Sequence, residues 1–250
     1  QRVVITGGSS GIGLSFAKLM ASLAAEPILV ARRESLLQQA REEVLSAHPG
    51  AKVETLALDV AEEEVTAREL AALEDRGRVD MLVNNAGVVM PGRFVDLPTS
   101  EFRNMMNVNY FGSVYTTKAL LPGMIRRGHG HVLNVSSLAG VLAIYGYTAY
   151  SASKFALVGL SQALRAEAWP HGVKVSVCLP PDTDTPQLAF ENQHKPAETK
   201  AIAGQVKTLS PETVALAMAQ GMARGSFEIY PDLASRMVAL GQGALPAVTR

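Results

Sequence analysis

The strongest constraint in this sequence is a rhythm in which short β-branched runs alternate with helical patterns. Arg2–Thr6 is such a run, and Gly11–Ala24 follows it with apolar residues at helical spacing (Ile12, Phe16, Leu19, Leu23). Pro27–Val30, Val53–Leu58, Asp80–Asn84, His131–Ser136 and Lys174–Leu179 read as further strands. Between them Glu34–His48, an acidic segment after Asp59, Ser100–Arg127 and Thr148–Trp169 read as helices. Strands separated by helices cannot pair as hairpins. They pair in parallel through crossovers, which predicts a doubly wound sheet.

The rhythm breaks between Pro180 and Ser210, a polar, proline-marked stretch that is long for a connection and reads as a substrate loop over about 180–210. A helix at Pro211–Arg224, a strand at Phe227–Pro231 and an apolar tail complete the chain. Without repeats or linkers, the 250 residues read as a single domain. The formal net charge is zero, which argues against a nucleic-acid surface. Cys178 is the single cysteine, so neither an intramolecular disulfide nor a cysteine-rich metal site is expected, and no metal is assigned. No apolar run approaches the ~20 residues that span a bilayer. The chain opens directly on a core strand, so any targeting segment or anchor is expected to lie outside it.

After the first strand comes TGGSSGIG, with Gly7, Gly11 and Gly13 marking a turn into a helix. Glycines let the backbone approach a pyrophosphate, and the helix start supplies free N–H groups and a positive dipole end. A merely glycine-rich turn is the plain alternative, but the strand-to-helix placement is the one the mechanism demands. The fold expected is therefore α/β, a single Rossmann-type doubly wound parallel sheet flanked by helices. The second strand ends in ARRE, where Arg32 and Arg33 precede the first acid, Glu34. Guanidinium forks suit a ribose 2′-phosphate, so the pair favours NADP(H) over NAD; two solvated arginines are the plain alternative. Asp59 closes the third strand, and Asn84, Asn85, Ala86 and Gly87 close the fourth. All of these fall at carboxyl ends of strands, where ligands of open α/β sheets bind.

Three tyrosines crowd into YGYTAYSASK, residues 145–154. Tyr150 alone has a lysine four residues on, Lys154, which shares its helix face. A phenol near pKa ~10 needs its charged form stabilised to act near neutrality, and an adjacent ammonium does that. Ser137 ends the fifth strand on the same rim, and Asn109, an amide inside a helix, asks for a reason to be there. Tyr145 and Tyr147 read as pocket wall or packing.

Together TGGSSGIG, NNAG, NVNYFG, NVSS and YSASK, in this order, resemble the short-chain dehydrogenase/reductase family over nearly the whole chain. The resemblance implies Tyr150 as general acid/base, Ser137 on the substrate carbonyl and Lys154 on the nicotinamide ribose, lowering the tyrosine pKa. It implies Asn109 holding a water in a proton relay. For the cofactor, NADPH, it implies Gly7, Ser9, Ser10, Gly11, Ile12 and Gly13 around the phosphates, Asp59 and Val60 near the adenine, and Asn85, Ala86 and Gly87 along the adenine ribose. Pro180, Thr183 and Thr185 fall near the nicotinamide. The family usually has glycine where this chain has Pro181, which leaves the local backbone path open.

That departure, PPDTDTP followed by AFENQHKPAET, is similar to the corresponding stretch of 3-ketodihydrosphingosine reductases. VNNAG, YTAYSASKFAL and ARRESLL agree. The implied reaction is NADPH-dependent reduction of the C3 ketone to dihydrosphingosine, in sphingolipid biosynthesis. A rigid turn shared by unrelated lipid or carbonyl reductases is the plain alternative. A long-chain substrate needs an apolar channel, each buried CH₂ contributing roughly 0.8 kcal/mol. Leu138, Val141, Leu142, Ile144, Leu188, Ala189 and Phe190 are its candidates, and Asp182, Asp184 and Glu191 those for the substrate ammonium.

The resemblance also implies a cytoplasmic protein or one on the cytosolic face of the endoplasmic reticulum, and a homo-oligomer through the helices at 100–127 and 148–169, with Ala149, Ala152, Ala156 and Ala163 allowing close approach. The tail MVALGQGALPAV suits a weak interfacial membrane contact or subunit packing. A carbonyl reductase acting on steroids, retinoids or 3-oxoacyl compounds is the rival enzyme. A non-catalytic NADP-binding scaffold is the rival from another class, disfavoured because a binding protein has no need of a lysine-tuned tyrosine.

Overall fold

The computed structural model describes residues 1–203 and 208–244. Its centre is a seven-stranded parallel sheet in the order β3-β2-β1-β4-β5-β6-β7. The strands are β1 (Arg2–Thr6), β2 (Glu26–Ala31), β3 (Glu54–Ala57), β4 (Met81–Asn84), β5 (Gly130–Val135), β6 (Val173–Cys178) and β7 (Glu228–Ile229). The chain winds outward from β1 to β3, then returns across β1 to start the other half at β4. The crevice between the ends of β1 and β4 is thus the topological switch point.

Alternation along β1 shows why the sheet is covered on both faces. Val3 and Ile5 join the core beneath α1 (Gly11–Ser22), α2 (Glu34–Ala47) and, further along, Val214, Met218 and Met222. Val4 points the other way, into a core built with Leu70, Leu73, Leu120, Met124 and Leu164. Those residues come from α3 (Glu63–Arg76), then, beyond α4 (Thr99–Met105), from α5 (Gly112–Arg127) and α6 (Thr148–Ala168).

Two elements differ from the sequence reading. Ser100–Arg127 is not one uniform helix: α4 passes into a π-helical turn at Met106–Phe111 before α5 begins. The axis continues, so apolar spacing alone does not reveal the widened turn. The stretch after Pro180 is not an irregular loop, for it contains α7 (Pro186–His194) and α8 (Ala197–Ala203). Thr185 caps α7, its hydroxyl accepting the Leu188 N–H at 3.2 Å, with Pro186 in the first turn. Glu191 is the buried residue of α7, so the helix lacks the apolar stripe that would have announced it. Then α9 (Pro211–Arg224) returns to the sheet, and α10 (Leu233–Ala244) ends the described chain. The last residues of the apolar tail lie outside the described residues. No helix among those described is long and apolar enough to cross a membrane.

Candidate active site

The glycine turn is shaped by its contact with the segment after β4. Gly7 and Gly11 adopt φ of +65° and +54°, in the left-handed region that favours glycine. A Cβ on Gly7 would stand 2.9 Å from the Asn85 amide nitrogen, and one on Gly13 only 2.7 Å from it. Asn85 donates from Nδ2 to the carbonyls of Thr6 (3.0 Å) and Gly7 (3.2 Å), while Thr6 Oγ1 accepts the N–H groups of Asn85 and Ala86 at 3.0 Å. The two loops are therefore one rigid unit at the switch point. Ser10, at the start of α1, makes no side-chain cap, so first-turn N–H groups remain for an anion. This backbone cradle, which side chains would fill, fits a dinucleotide pyrophosphate.

A cavity of about 530 Å³ runs from this cradle to the catalytic candidates. Gly7, Ser9, Ser10, Gly11 and Ile12 line it, as do Arg32, Arg33, Asp59, Val60, Asn85, Ala86, Gly87, Ser137, Tyr150, Lys154, Pro180, Thr183 and Thr185. Gly13 and Asn109 stand one layer behind, Gly13 where the turn meets Asn85. Arg32 reaches Asp59 at 3.8 Å, the arginine exposed and the aspartate half-buried, so the ends of β2 and β3 present a guanidinium and a carboxylate side by side. Thr185 packs its methyl against Gly11, where a Cβ would come within 2.9 Å of it, joining the substrate segment to the phosphate turn. Its hydroxyl donates to the Thr183 carbonyl at 3.2 Å.

The floor of the catalytic end is set by a buried polar network. Asn84 donates to Asn134 Oδ1 (2.9 Å) and Thr117 Oγ1 (3.0 Å) and accepts from Thr116 (2.6 Å), while Asn134 donates to Ser161 (2.9 Å). These bonds lock β4, β5, α5 and α6 in one register. Asn109 ties its side chain down in the same way. Oδ1 accepts the Val88 N–H at 2.8 Å, and Nδ2 donates to the Val88 carbonyl (3.0 Å) and Ser153 Oγ (2.9 Å). Both amide protons are thus spent, and the second lone pair of Oδ1 is what the side chain has left for a water.

Lys154 Nζ donates to the Val135 carbonyl at 2.9 Å and lies 5.6 Å from the Tyr150 ring centre. Burial lowers its pKa to about 8. Burial raises that of Tyr150, with the Glu191 carboxylate adding to the rise and the Ser137 hydroxyl offsetting part of it. The net direction is the reverse of the lowering expected from a neighbouring ammonium, because both groups are desolvated together. Ser137 Oγ accepts the Ala139 N–H at 3.1 Å, leaving its own proton to donate into the cavity.

Beside Tyr150 the wall holds groups that sequence reasoning left open or missed. Tyr147 packs edge-on to Tyr150 at 5.9 Å between ring centres and donates to Glu191 at 2.7 Å. Lys195 is buried, pairs with Asp182 at 3.3 Å and lines the cavity, although nothing in its local sequence marked it. Leu138, Leu142, Ile144 and Leu188 line the cavity; Val141, Ala189 and Phe190 do not, and Phe190 stacks outward on His194. Asp232, just before α10, and Ala234, Ser235 and Val238 on it also line the cavity, although the sequence reading treated this segment only as an apolar tail. Among the described residues no cluster of three or more His, Cys, Asp or Glu is placed to hold a metal ion.

A parallel switch-point sheet with a Ser–Tyr–Lys set beside a dinucleotide cradle defines a class, and comparison with known proteins agrees. Residues 1–196 match the short chain dehydrogenase family, and the chain belongs to that family. Among its relatives, the 3-ketodihydrosphingosine reductase of Bos taurus is 44% identical over 90% of this chain and 69% of its own length. A 3-dehydrosphinganine reductase of Arabidopsis thaliana is 38% identical over 92% of this chain and 69% of its own. Of solved structures, a short-chain dehydrogenase from Sphingobium yanoikuyae in complex with NADPH superposes with a TM-score of 0.84 at 26% identity, covering 99% of this chain and 95% of its own. One from Burkholderia phymatum in complex with NAD reaches 0.87, also at 26%, over 100% and 95%. The shared fold thus accommodates either cofactor, and the choice rests on local residues.

Proposed function

We propose that this protein is an NADPH-dependent reductase of the C3 ketone of 3-ketodihydrosphingosine, producing dihydrosphingosine. The observation that carries the reading is likeness to reductases of that name over 90% of the chain, with Ser137, Tyr150 and Lys154 lining the cavity. The Arg32–Arg33 rim suits a 2′-phosphate, and the cradle at Gly7–Gly13 suits the pyrophosphate.

When bound, the nicotinamide supplies a hydride to the ketone carbon. The chain's own groups manage the oxygen. Ser137 donates its free proton to the carbonyl and orients it. Tyr150, kept protonated by its raised pKa, delivers a proton to the oxygen as negative charge develops there. Lys154, with a pKa near 8, has protons beyond the one on Val135 with which to hold a ribose hydroxyl and restore the phenol.

The remaining features fit a lipid substrate. Leu138, Leu142, Ile144 and Leu188 offer apolar lining for an alkyl chain. On α10, Leu233, Met237 and Leu240 are more than half exposed, and Val238 is both exposed and cavity-lining, so this helix suits a peripheral contact with a bilayer, at the cytosolic face of the endoplasmic reticulum. Ala152 and Ala163, with exposed Phe111 and Phe155, give α5 and α6 a face for a second copy; Ala149 is used within the chain's own core.

The test is nicotinamide oxidation followed by absorbance, with 3-ketodihydrosphingosine and NADPH or NADH. Turnover specific to NADPH is expected. Reduction of steroid or 3-oxoacyl ketones with none of the sphingoid ketone would leave the family chemistry standing and overturn the substrate.

A further inference from the structure

We infer that Glu191 is the residue that binds the substrate's 2-ammonium group and so makes the site specific for amino ketones. The inference rests on the substrate class proposed above and deepens it. In that substrate the ammonium is carried on the carbon next to the ketone. With the ketone oxygen engaged by Ser137 and Tyr150, the ammonium on the neighbouring carbon comes within reach of the wall beside Tyr150. That wall is formed by Tyr147, edge-on to Tyr150, with Glu191 hydrogen-bonded behind it.

Four carboxylates line the cavity and a fifth, Asp184, lies near it. Asp59 stands beside Arg32 at the cofactor rim, and Asp232 accepts the Ser235 N–H at 2.7 Å, capping α10. The surroundings of the three in the segment after β6 separate them. Asp184 is exposed, does not line the cavity, and its N–H bonds the Leu209 carbonyl in the outer turn. Asp182 lines the cavity but is already paired with the buried Lys195 at 3.3 Å. Glu191 is 8% exposed and lines the cavity, and its hydrogen bonds among the described residues come from neutral donors, the Tyr147 hydroxyl at 2.7 Å and the Gln187 amide at 3.3 Å. A buried carboxylate held by neutral groups and in no ion pair among the described residues is either driven toward its neutral form or completed by a charged ligand.

The electrostatics agree in direction. Burial raises the Glu191 pKa; the hydrogen bonds from Tyr147 and Gln187 only partly counter this, Asp182 adds to the rise, and Lys195 opposes it least. The same carboxylate raises the pKa of Tyr150. An ammonium bound between them would hold Glu191 ionised and cancel its field at Tyr150, making the phenol a better acid with the amino ketone in place. Tyr147 thereby acquires a role as a positioning residue, fixing the carboxylate against the tyrosine that reacts.

The experiment compares two ketones, 3-ketodihydrosphingosine and the same long-chain hydroxy ketone with hydrogen in place of the 2-amino group. The probes are the wild-type protein, Glu191→Gln and Asp182→Asn, with NADPH binding by fluorescence as the check on folding. The wild type should prefer the amino ketone at least tenfold in kcat/KM. Glu191→Gln should erase most of that preference, lowering kcat/KM on the amino ketone at least tenfold more than on its deamino counterpart, equivalent to about 1.4 kcal/mol. Asp182→Asn should keep the preference. Equal losses on both ketones in Glu191→Gln, or loss of preference in Asp182→Asn alone, would overturn the inference while leaving the substrate reading intact. A wild type that reduces both ketones equally overturns it without recourse to any variant. Reduction of the deamino ketone alone overturns the substrate reading, and the inference with it.

Discussion

The ammonium of Lys154 stands 5.6 Å from the ring centre of Tyr150 and is tied to the Val135 carbonyl at the end of β5. The strand thus holds the lysine, and the lysine's helix holds the tyrosine one turn earlier. Tyr150→Phe removes only the proton that is transferred, so kcat should fall by roughly 10²–10⁴-fold, the usual range for losing a general acid. NADPH titration by fluorescence should still saturate. Near-normal turnover in this variant would remove Tyr150 from the mechanism.

The arginine rim makes a separate claim about cofactor choice. Arg32 and Arg33 line the cavity where the adenosine ribose is expected, with Asp59 beside Arg32. Replacing both by Ala should raise the KM for NADPH at least tenfold (~1.4 kcal/mol) and leave that for NADH nearly unchanged. Parallel losses with both cofactors would make the pair surface decoration.

Acid stability is set in part by a histidine far from the chemistry. His131 is buried in β5 against Ser176 Oγ at 2.9 Å, and burial lowers its pKa from 6.5 to about 4. Between those values the unfolded chain binds the proton and the folded chain does not. Its contribution is therefore complete above about pH 6.5 and lost as pH falls toward 4, up to about 3 kcal/mol in all. Urea midpoints should drop across that window, and His131→Gln should flatten the drop. An unchanged slope in the variant would assign acid sensitivity elsewhere.

Cys178 is fully buried at the end of β6, and burial pushes its thiol pKa up to about 12. Neither access nor thiolate character favours reaction. Iodoacetamide should leave the folded protein unmodified by mass spectrometry and label it readily in urea. Labelling under native conditions at the unfolded rate would show that β6 opens far more easily than its packing implies.

Legibility in the sequence tracked how local the determining forces are. The strand–helix alternation was plain because the period of apolar residues is a property of neighbours in the chain. TGGSSGIG and YSASK were plain because a glycine turn and an i, i+4 pair carry their geometry with them. The π turn around Asn109 was hidden, since it changes the ladder without changing the apolar pattern enough to read. Helix α7 was hidden because it covers a cavity rather than a core and buries a glutamate where an aliphatic residue would be expected.

The sequence by itself determined the parallel doubly wound architecture, the glycine turn at its switch point and the pairing of Tyr150 with Lys154 on one helix face. Each follows from residues within a few positions of one another. Only the tertiary structure decided which way the pKa values of Tyr150 and Lys154 move, what Asn109 bonds to, and that Glu191 is buried on the cavity wall with Tyr147. Those outcomes depend on burial and on partners 21 to 44 residues apart, such as Asn109 with Val88 and Tyr147 with Glu191. Desolvation and Coulomb energy are set by distance in space, and chain spacing carries no record of them.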